Sequence, residues 1–431
     1  MSARKLALKV LAKCRREGGY SNLTLDSALK NAELSDSDRA LATQLVFGVI
    51  TRKITLDYYI GKLSSMGGSR IEPDVRDVLR MGLYQLIYLD KIPAHAAVNE
   101  SVTLVPPRAR GFVNALLRNW QRKGNDIPLP QDPVEKMSVL RSYPLELCEK
   151  LTAEYGYTEA DAMLEAMNAT PPLTVRVNTV KTDRETLLRS FREDGVDAEE
   201  GIVSPYAIRV KGTPITRLNG FDNGLFFAQD EASQICAAAL GAKAGDTVID
   251  VCSAPGGKSF GAAMMMENTG KIYSFDLHDS KISLIRGGAE RLGINIIEAC
   301  AADARSFKEE LFECADAVLC DVPCSGYGVM AKKPEIRFKA LSDAERLPEI
   351  QYAILENAAK YVKKGGVLVY STCTVLSAEN GKNAERFAKE HKEFVPAGFT
   401  FGGRDFGPQT TLLPHKDGTD GFFVAKFIKT F

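Results

Sequence analysis

The sequence contains no apolar run long enough to cross a membrane. A transmembrane helix needs about 18 or more consecutive apolar residues, and no segment of the 431-residue chain approaches that length. The first sixteen residues are interrupted by six Lys and Arg residues, which argues against a secretory signal peptide. We therefore expect a cytoplasmic protein that is not inserted in a membrane.

Metal-binding cysteine pairs are absent as well. The nine cysteines are scattered along the chain, and no two of them form a Cys-x-x-Cys pair. The odd number argues against a disulfide framework, and the missing pair argues against a zinc site. We expect free thiols and no bound metal. Most intracellular cysteines are small buried hydrophobic residues, and we assign this role to Cys236, Cys300, Cys314 and Cys320.

The chain has no net charge, with 55 Lys and Arg against 55 Asp and Glu, but its charges are distributed unevenly. Residues 1–127 carry 20 basic and 12 acidic residues, whereas the remaining 304 residues carry 35 basic and 43 acidic residues. A basic module of this kind is either a set of solvated helix faces or a surface that binds nucleic-acid phosphates. Charge alone does not decide between these interpretations.

Residues 1–127 have the pattern of a helical bundle, because their apolar residues recur at spacings of three and four. The spacing is clearest in the segments 41–50, 75–89 and 110–122, and it gives the first helix an apolar face at Leu6, Val10, Leu11 and Cys14. Gly- or Pro-containing segments predict the breaks between helices. These breaks are 18–20, 66–69, 92–95 and 104–107.

A polar, proline-rich linker at 124–133 marks the first domain boundary. Residues 128–228 then predict linker helices and a small α+β module. The linker helices lie at about 133–168, and the module has a strand within 171–181, a helix at 183–194 and strands near 207–211 and 224–228.

Strand and helix patterns alternate from Gln229 to the end of the chain, which predicts an α/β domain with a parallel sheet covered on both faces. The strands that we place are TVIDV at 247, KIYSFD at 271, NIIEA at 295, DAVLCD at 316, GVLVYST at 366 and GFFVAKF at 421.

The segment 250–259, DVCSAPGGKS, runs from a strand into a turn that can receive a cofactor. Gly256 and Gly257 allow close approach of a ligand, and the amino end of the next helix can meet a carboxylate. Ligands of open α/β sheets bind at the carboxyl ends of strands, where four acidic residues are expected to line one rim. They are Asp250, Asp276, Asp303 and Asp321. Asp276 stands where an acid binds ribose hydroxyls.

A nucleoside triphosphatase is an alternative, since residues 256–259 resemble the end of a phosphate-binding loop and residues 317–321 resemble its magnesium-holding strand. That loop requires glycine where this chain has Cys252, and Pro255 lacks an amide donor. A dehydrogenase is favoured less, because Gly-x-Gly-x-x-Gly does not occur in the turn. The turn fits S-adenosylmethionine better.

Two cysteines follow strands at the same rim, Cys324 in DVPCSGYGV and Cys373 in YSTCT. Carbon 5 of cytosine is a poor nucleophile, and a thiolate that adds to carbon 6 converts it into an enamine carbon. Asp321 is placed to hydrogen-bond ring nitrogen 3, and Lys258 is a candidate for favouring the thiolate. The second thiol can help to release the product. Spacing alone does not assign the two roles.

The turn, the Pro-Cys motif and the Thr-Cys motif, in this order, resemble the RNA cytosine-5 methyltransferases of the Nol/Nop/Sun family. The amino-terminal segments resemble the NusB-type RNA-binding fold of the bacterial 16S ribosomal RNA branch; they are VFGVITRK, RMGLYQLIYLDKIPAHAAVNESV and GFVNALLR. The resemblance covers nearly the whole chain. It implies an all-α NusB-like domain at 1–127, linker helices and an RNA-binding α+β module at 128–228, and a Rossmann-like methyltransferase domain with a mostly parallel seven-stranded sheet at 229–431.

The resemblance also implies S-adenosylmethionine as cofactor, 16S ribosomal RNA as partner and a monomeric chain. Cys373 would be the nucleophile and Cys324 would serve release, although the Pro-Cys residue is the nucleophile in the DNA cytosine-5 enzymes. Asp276 would bind the ribose and Asp303 the adenine side, with Asp321 nearby. The methionine end would be held by Cys252, Ser253, Ala254, Pro255, Gly256, Gly257 and Lys258, with Ser253 where the family usually has alanine. Arg176–Asn178 belongs to the module that, in the resembled family, lies against the catalytic domain and helps to hold RNA.

Two other function classes stay open, a noncatalytic RNA-binding assembly factor and an ATP-hydrolysing RNA remodeller. The intact cysteines and turn argue against the first, and Cys252 argues against the second. Arg337, in KKPEIRF, is interpreted either as a contact to the RNA backbone or as part of a solvated basic loop.

Overall fold

The computed structural model describes residues 1–18, 21–64 and 70–431 of the chain. These residues form two compact units. The first comprises Met1–Ala169 and Met330–Lys339, and the second comprises Thr170–Val329 and Ala340–Phe431. The predicted breaks at Gly19–Tyr20 and Met66–Ser69 lie outside the described residues.

The first unit is helical, as the apolar spacing predicts. Its helices are α1 (Ala3–Glu17), α2 (Ser21–Lys30), α3 (Asp36–Thr51), α4 (Lys53–Leu63), α5 (Pro73–Tyr88), α6 (Ala94–Thr103), α7 (Pro107–Lys123), α8 (Pro133–Arg141), α9 (Leu145–Tyr155) and α10 (Tyr157–Ala166), with 3₁₀ turns at Gly124–Asp126 and Pro334–Phe338. None of the helices in the described ranges is both long and apolar enough to cross a membrane.

Local chemistry defines both ends of α1. The Ser2 hydroxyl accepts a hydrogen bond from the Lys5 N–H, and Gly18, at φ 65°, ends the helix in the left-handed conformation. An N-cap of this kind contributes about 1 kcal/mol. The predicted apolar face is confirmed, because Leu6, Val10 and Leu11 are buried in the core of the unit.

The buried position of Arg337 agrees with neither of the two interpretations of its segment. Its side chain is buried within the first unit, where Nη1 donates to the Thr51 carbonyl oxygen at 2.7 Å and Nε donates to the Pro334 carbonyl oxygen at 3.1 Å. The guanidinium also lies 4.1 Å from the centre of the Tyr143 ring. It is therefore an internal anchor of the 330–339 segment, neither a solvated residue nor one exposed to RNA.

The second unit contains the following elements: β1 (Leu173–Val177), α11 (Arg184–Glu193), β2 (Asp197–Glu200), β3 (Ala207–Lys211), β4 (Phe226–Ala228), α12 (Glu231–Ala239), β5 (Thr247–Asp250), α13 (Gly257–Met265), β6 (Lys271–Asp276), α14 (Asp279–Leu292), β7 (Ile297–Ala301), β8 (Ala315–Asp321), α15 (Leu341–Ala344), α16 (Leu347–Ala359), β9 (Val362–Thr372), α17 (Gly381–Glu390), β10 (Phe394–Pro396), β11 (Phe399–Phe401), β12 (Arg404–Phe406), β13 (Gln409–Leu412), α18 (Pro414–Asp417) and β14 (Phe422–Lys429).

The large sheet has the order β10-β14-β9-β8-β5-β6-β7, and β13 pairs with β14 as an eighth strand. Strands β5 to β9 run parallel, while β14 is antiparallel to each of its neighbours. The mostly parallel sheet is thus confirmed, and it has eight strands, one more than the seven that the resemblance implies and two more than the six that we placed from the sequence. The prediction did not place β10 and β13, which are only three and four residues long. A smaller antiparallel sheet has the order β2-β3-β1-β4.

The register of β8 and β9 decides where the two cysteines lie. Asp321, the last residue of β8, is paired with Ser371 near the end of β9. Because parallel strands end at the same edge of a sheet, the loops that follow β8 and β9 leave this edge side by side. Cys324 and Cys373 are in these two loops.

Candidate active site

The turn between β5 and α13 has a fixed backbone. Gly256 has φ 108°, and a Cβ atom at this position would lie 2.4 Å from the Phe260 ring. Ser253 anchors the turn to the neighbouring strand, because its N–H and its hydroxyl donate to the Phe275 carbonyl oxygen at 2.7 and 3.0 Å. Only glycine satisfies both the backbone conformation and the space at Gly256.

Asp276 lies against this turn. Its Oδ2 accepts from the Ala254 N–H at 3.3 Å, and its Oδ1 pairs with Lys281 Nζ at the same distance. The structure therefore brings together the turn and the acid that the sequence associates with a ribose. Asp303 instead forms a two-pronged ion pair with Arg305 at 2.7 to 3.2 Å, and bonds from Arg305 lower the pKa of its carboxyl.

Asp250 does not line an open rim as expected. Its side chain is buried, and its Oδ2 accepts a hydrogen bond from the Ser259 hydroxyl at 2.6 Å. The Ser259 hydroxyl in turn accepts a hydrogen bond from the Ser274 hydroxyl at 2.9 Å. Burial raises the pKa of Asp250 to about 7. The strand carries this residue to the correct end of the sheet, but α13 covers it.

The buried carboxyl predicts a pH-dependent stability. The unfolded chain releases the Asp250 proton near 3.8 and the folded chain near 7, so folding stability is lost as the pH rises between these values. Relative to Asp250→Asn, the free energy of unfolding of the natural protein should fall by about 2 to 3 kcal/mol between pH 5 and pH 7. Calorimetric unfolding of both proteins at these pH values measures the difference, and a pH-independent difference would contradict it.

The two rim cysteines are in contact. Their Sγ atoms are 3.1 Å apart, neither sulfur is in a disulfide bond, and both residues are half-buried. The Cys373 N–H also donates to Cys324 Sγ at 3.3 Å. The structure thus brings together the pair that the motifs single out.

The contact changes the acidity of Cys324. The pKa of Cys324 is raised well above its ordinary value, first by the hydrogen bond with Cys373, then by burial and by the charge of Cys373. A thiol with a raised pKa retains its proton and can donate it in a hydrogen bond. Cys324 is therefore the donor that suits a thiolate at Cys373.

Lys258 and Asp321 form an ion pair beside the thiols. Lys258 Nζ donates to Asp321 Oδ2 at 2.7 Å, and the Ser371 hydroxyl donates to Asp321 Oδ1 at 2.7 Å. Burial opposes the ammonium, but the charge of Asp321 and the hydrogen bond to it outweigh burial and raise the pKa of Lys258, and Cys236 and Cys373 add to this effect when their thiols are ionised. Because this electrostatic coupling is reciprocal, the Lys258 ammonium favours the thiolate form of Cys373.

The other cysteines of the second unit are poorer candidates for chemistry than Cys324 and Cys373. Cys236 and Cys320 are buried as expected, and burial raises the pKa of Cys236 to about 12. Cys300 and Cys314 are only half-buried. Burial also raises the pKa of Cys252 far above its ordinary value, so its thiol is unreactive within the cofactor turn.

Arg176 and Asn178 hold the small module against the catalytic elements, as the resemblance implies for this module. Both are buried; Arg176 Nη2 donates to the Gly261 carbonyl oxygen at 3.1 Å, and Asn178 Nδ2 donates to the carbonyl oxygens of Gly224 and Leu292 at 2.8 Å. These bonds fasten the small sheet to α13 and α14. The two side chains are used inside the unit and do not face a ligand in solution.

Ser371 and Gln229 are site residues that the sequence reasoning missed. Ser371 holds Asp321, and it could have been noticed as the residue that begins Ser-Thr-Cys at a strand end. Gln229 Nε2 is buried with no hydrogen-bond partner in the described part of the chain, next to Gly257 at the start of α13. No local pattern marks it. Within the same residues, no cluster of three or more His, Cys, Asp or Glu side chains could hold a metal ion.

Family models match three parts of the chain. Residues 1–122 match the NusB family, residues 143–216 match the ferredoxin-like domain of RsmF/B-like methyltransferases, and residues 237–428 match the 16S rRNA methyltransferase RsmB/F model. The order of these matches agrees with an all-α amino-terminal domain, a small α+β module and a methyltransferase domain.

Full-length relatives agree with these matches. A Bacillus subtilis protein named probable ribosomal RNA small subunit methyltransferase B is 39% identical, over 99% of each chain. Ribosomal RNA small subunit methyltransferase B of Photorhabdus laumondii is 30% identical over 99% of this chain and 98% of the relative.

Solved structures have the same architecture. The crystal structure of PH0851 is 26% identical, with a TM-score of 0.80 over 100% of this chain and 99% of the other. A methyltransferase homologue from Pyrococcus horikoshii is 26% identical, with a TM-score of 0.60 over 70% of this chain and 100% of the other. This chain therefore belongs to the RsmB/F family of 16S ribosomal RNA methyltransferases, which use S-adenosylmethionine as methyl donor.

Proposed function

We propose that this protein methylates carbon 5 of a cytosine in 16S ribosomal RNA through a covalent bond between Cys373 and the base. The observation that carries the proposal is the pair of thiols 3.1 Å apart, held at the ends of β8 and β9 on the edge of the sheet where the cofactor turn opens. Two adjacent thiols suit a reaction in which one adds to the ring and the other assists its departure.

The residues of the turn fit the cofactor. A side chain at Gly257 would meet its nearest neighbour, Gln229 Nε2, only at 3.5 Å, so a ligand can approach the backbone there. The unpartnered Gln229 amide and the amino end of α13 suit a carboxylate. We propose that residues 252–258 hold the methionine end, Asp276 the ribose hydroxyls and Asp303 the adenine side.

Cys373 is the proposed nucleophile. The Lys258 ammonium favours its thiolate. The Cys324 sulfur lies 3.1 Å away and, as a thiol, can donate a hydrogen bond to that thiolate. Addition of the thiolate to ring carbon 6 makes carbon 5 an enamine carbon. The bound cofactor supplies a sulfonium methyl group, which is the electrophile for such a carbon.

Asp321 is proposed to hold the base. Each of its oxygens accepts one hydrogen bond inside the protein, from Lys258 and from Ser371, and each retains a further lone pair. A carboxylate in this state can bind the protonated ring nitrogen 3 of the adduct, or the adjacent amino group, and so stabilise the addition.

Cys324 is proposed to act in release. The hydrogen bond with Cys373 and the charge of Cys373 both raise the pKa of Cys324, and both are lost once Cys373 is bonded to carbon. The pKa of Cys324 then falls, while burial and the charges of Glu379 and Asp321 still raise it. Cys324 must transfer its proton to water before it can act as a base. The Cys324 thiolate removes the proton from carbon 5, the electron pair forms the bond between carbons 5 and 6, and Cys373 departs as a thiolate.

The cofactor assignment is tested by calorimetry. Asp276→Ala should weaken S-adenosylmethionine binding about tenfold to a hundredfold, because charge-assisted hydrogen bonds to the ribose are lost. Asp279→Ala, which removes an exposed carboxylate three residues later, is the control and should bind like the natural protein. Magnesium-dependent binding of ATP, with none of S-adenosylmethionine, would overturn the assignment and favour a nucleotide-driven remodeller.

The modified base is tested in cells. Bisulfite sequencing of 16S ribosomal RNA from cells with and without the protein should show one protected cytosine that disappears with the gene and returns with the natural protein, but not with Cys373→Ala. Complementation of ribosome assembly by Cys373→Ala, without any methylated cytosine, would instead favour the noncatalytic assembly factor.

A further inference from the structure

The peptide groups on both sides of Cys324 are held by one pair of side chains. Gln351 Nε2 donates to the Pro323 carbonyl oxygen at 3.0 Å, and Glu379 Oε2 accepts from the Ser325 N–H at 2.9 Å. Gln351 Nε2 also donates to Glu379 Oε2 at 2.8 Å. The backbone that carries the thiol is thus fastened before and after it. We call Gln351 and Glu379 the clamp.

The residue after the clamp glutamate holds the other cysteine loop. Asn380 Nδ2 donates to the Thr374 carbonyl oxygen at 2.9 Å, and Asn380 Oδ1 accepts from the Thr372 hydroxyl. The Ser325 and Thr374 hydroxyls are 2.7 Å apart, which joins the two loops directly. Two consecutive residues, Glu379 and Asn380, therefore set the separation of the two thiols.

Burial of the polar clamp side chains opposes folding, since Glu379 is 1% exposed and Gln351 is fully buried. No cation pairs with Glu379 among the residues that the structure describes, and its Oε1 has no hydrogen-bond partner there. A buried carboxylate without a cation opposes folding. Natural proteins keep such groups mainly where function requires them.

We propose that Glu379 and Gln351 are positioning residues for Cys324, which keep its thiol beside Cys373 so that it can take the proton from carbon 5 of the adduct. The inference rests on the release role proposed for Cys324. Loss of the clamp leaves Cys373, Lys258 and the cofactor turn in place, so addition and methylation proceed. Elimination slows, because Cys324 is no longer held next to the proton that it must remove.

The test compares addition with release. Glu379→Ala should keep single-turnover methyl transfer within about threefold of the natural protein, while steady-state turnover falls about tenfold to a hundredfold. Methylated RNA should then remain bound to the enzyme on a denaturing gel. Glu379→Gln retains an oxygen that can accept both clamp bonds and should form at least about threefold less adduct than Glu379→Ala. Glu385→Ala removes an exposed carboxylate on α17 and is the matched control.

A second variant tests the inference if Glu379→Ala does not fold. Gln351→Met removes the bond to Pro323 but leaves the bond between Glu379 and Ser325, and it should accumulate more adduct than the natural protein. Slower turnover of both clamp variants without any adduct would overturn the inference, as would equal adduct with Glu379→Gln and Glu379→Ala. Cys324→Ala separates the two hypotheses. If Cys324→Ala accumulates the RNA adduct and the clamp variants do not, the positioning role of the clamp is wrong but the release role of Cys324 stands. If Cys324→Ala accumulates no adduct, the proposed release role is wrong.

Discussion

Replacing Cys373 with alanine should lower methyl transfer by at least about three orders of magnitude, since no group remains that can add to carbon 6 of the ring. Carbon 5 then stays a poor nucleophile, although the turn and Asp276 are intact. S-Adenosylmethionine should bind Cys373→Ala as it binds the natural protein. Transfer of radiolabelled methyl groups to 16S ribosomal RNA measures the activity, and calorimetry measures the cofactor affinity.

The matched control is Cys314→Ala, which removes a half-buried thiol just before β8 and should retain activity. Cys373→Ala should also form no covalent complex with RNA. Retention of more than about a tenth of the activity would exclude Cys373 as the nucleophile, because loss of a covalent nucleophile costs far more than tenfold.

Replacing Cys324 with alanine should have the opposite effect on the covalent complex with RNA, which should accumulate. Cys373 can still add to the base, and methylation can follow, but the proton on carbon 5 has lost its acceptor. Methylated RNA should therefore accumulate on the enzyme as an adduct that survives denaturing electrophoresis, while steady-state turnover falls by about a hundredfold or more. The fraction of enzyme shifted on the gel, followed over time, measures the effect.

The double variant Cys324→Ala, Cys373→Ala is the control for this adduct and should form none, because the bond to RNA requires Cys373. The reverse pattern, in which Cys373→Ala traps RNA and Cys324→Ala does not, would exchange the two roles. The chain would then use its Pro-Cys residue as nucleophile, and the raised pKa of Cys324 would have to fall on binding RNA.

Much of the candidate site could be predicted because its residues are tied to strand ends. The β5 turn, Asp276, Asp321 and the two cysteine loops each follow a recognisable apolar strand. Parallel strands end at one edge, so the sequence alone predicts that these groups converge. The α-helical pattern of α1 and of α7 likewise follows from apolar spacing, and Pro107 fits the first turn of α7, where no amide donor is needed.

The tertiary structure decided which charged groups are buried and which are open. Asp250 ends its strand like Asp276 and Asp321, yet α13 covers it and its pKa rises to about 7. Arg337 lies in a basic segment typical of a surface, but its guanidinium is buried against Tyr143. Neither outcome has a local signal, because burial depends on what packs over a residue.

The sequence by itself therefore determined the order of elements, the edge of the sheet that carries the chemistry and the residues that can react. Only the tertiary structure placed Gln351 and Glu379, which are 27 and 55 positions from Cys324 in the chain, against the peptide groups on either side of Cys324. These hydrogen bonds form because α16 packs against β8, β9 and α17. The chain order contains no periodic pattern for such contacts, which is the physical reason that the clamp could not be predicted.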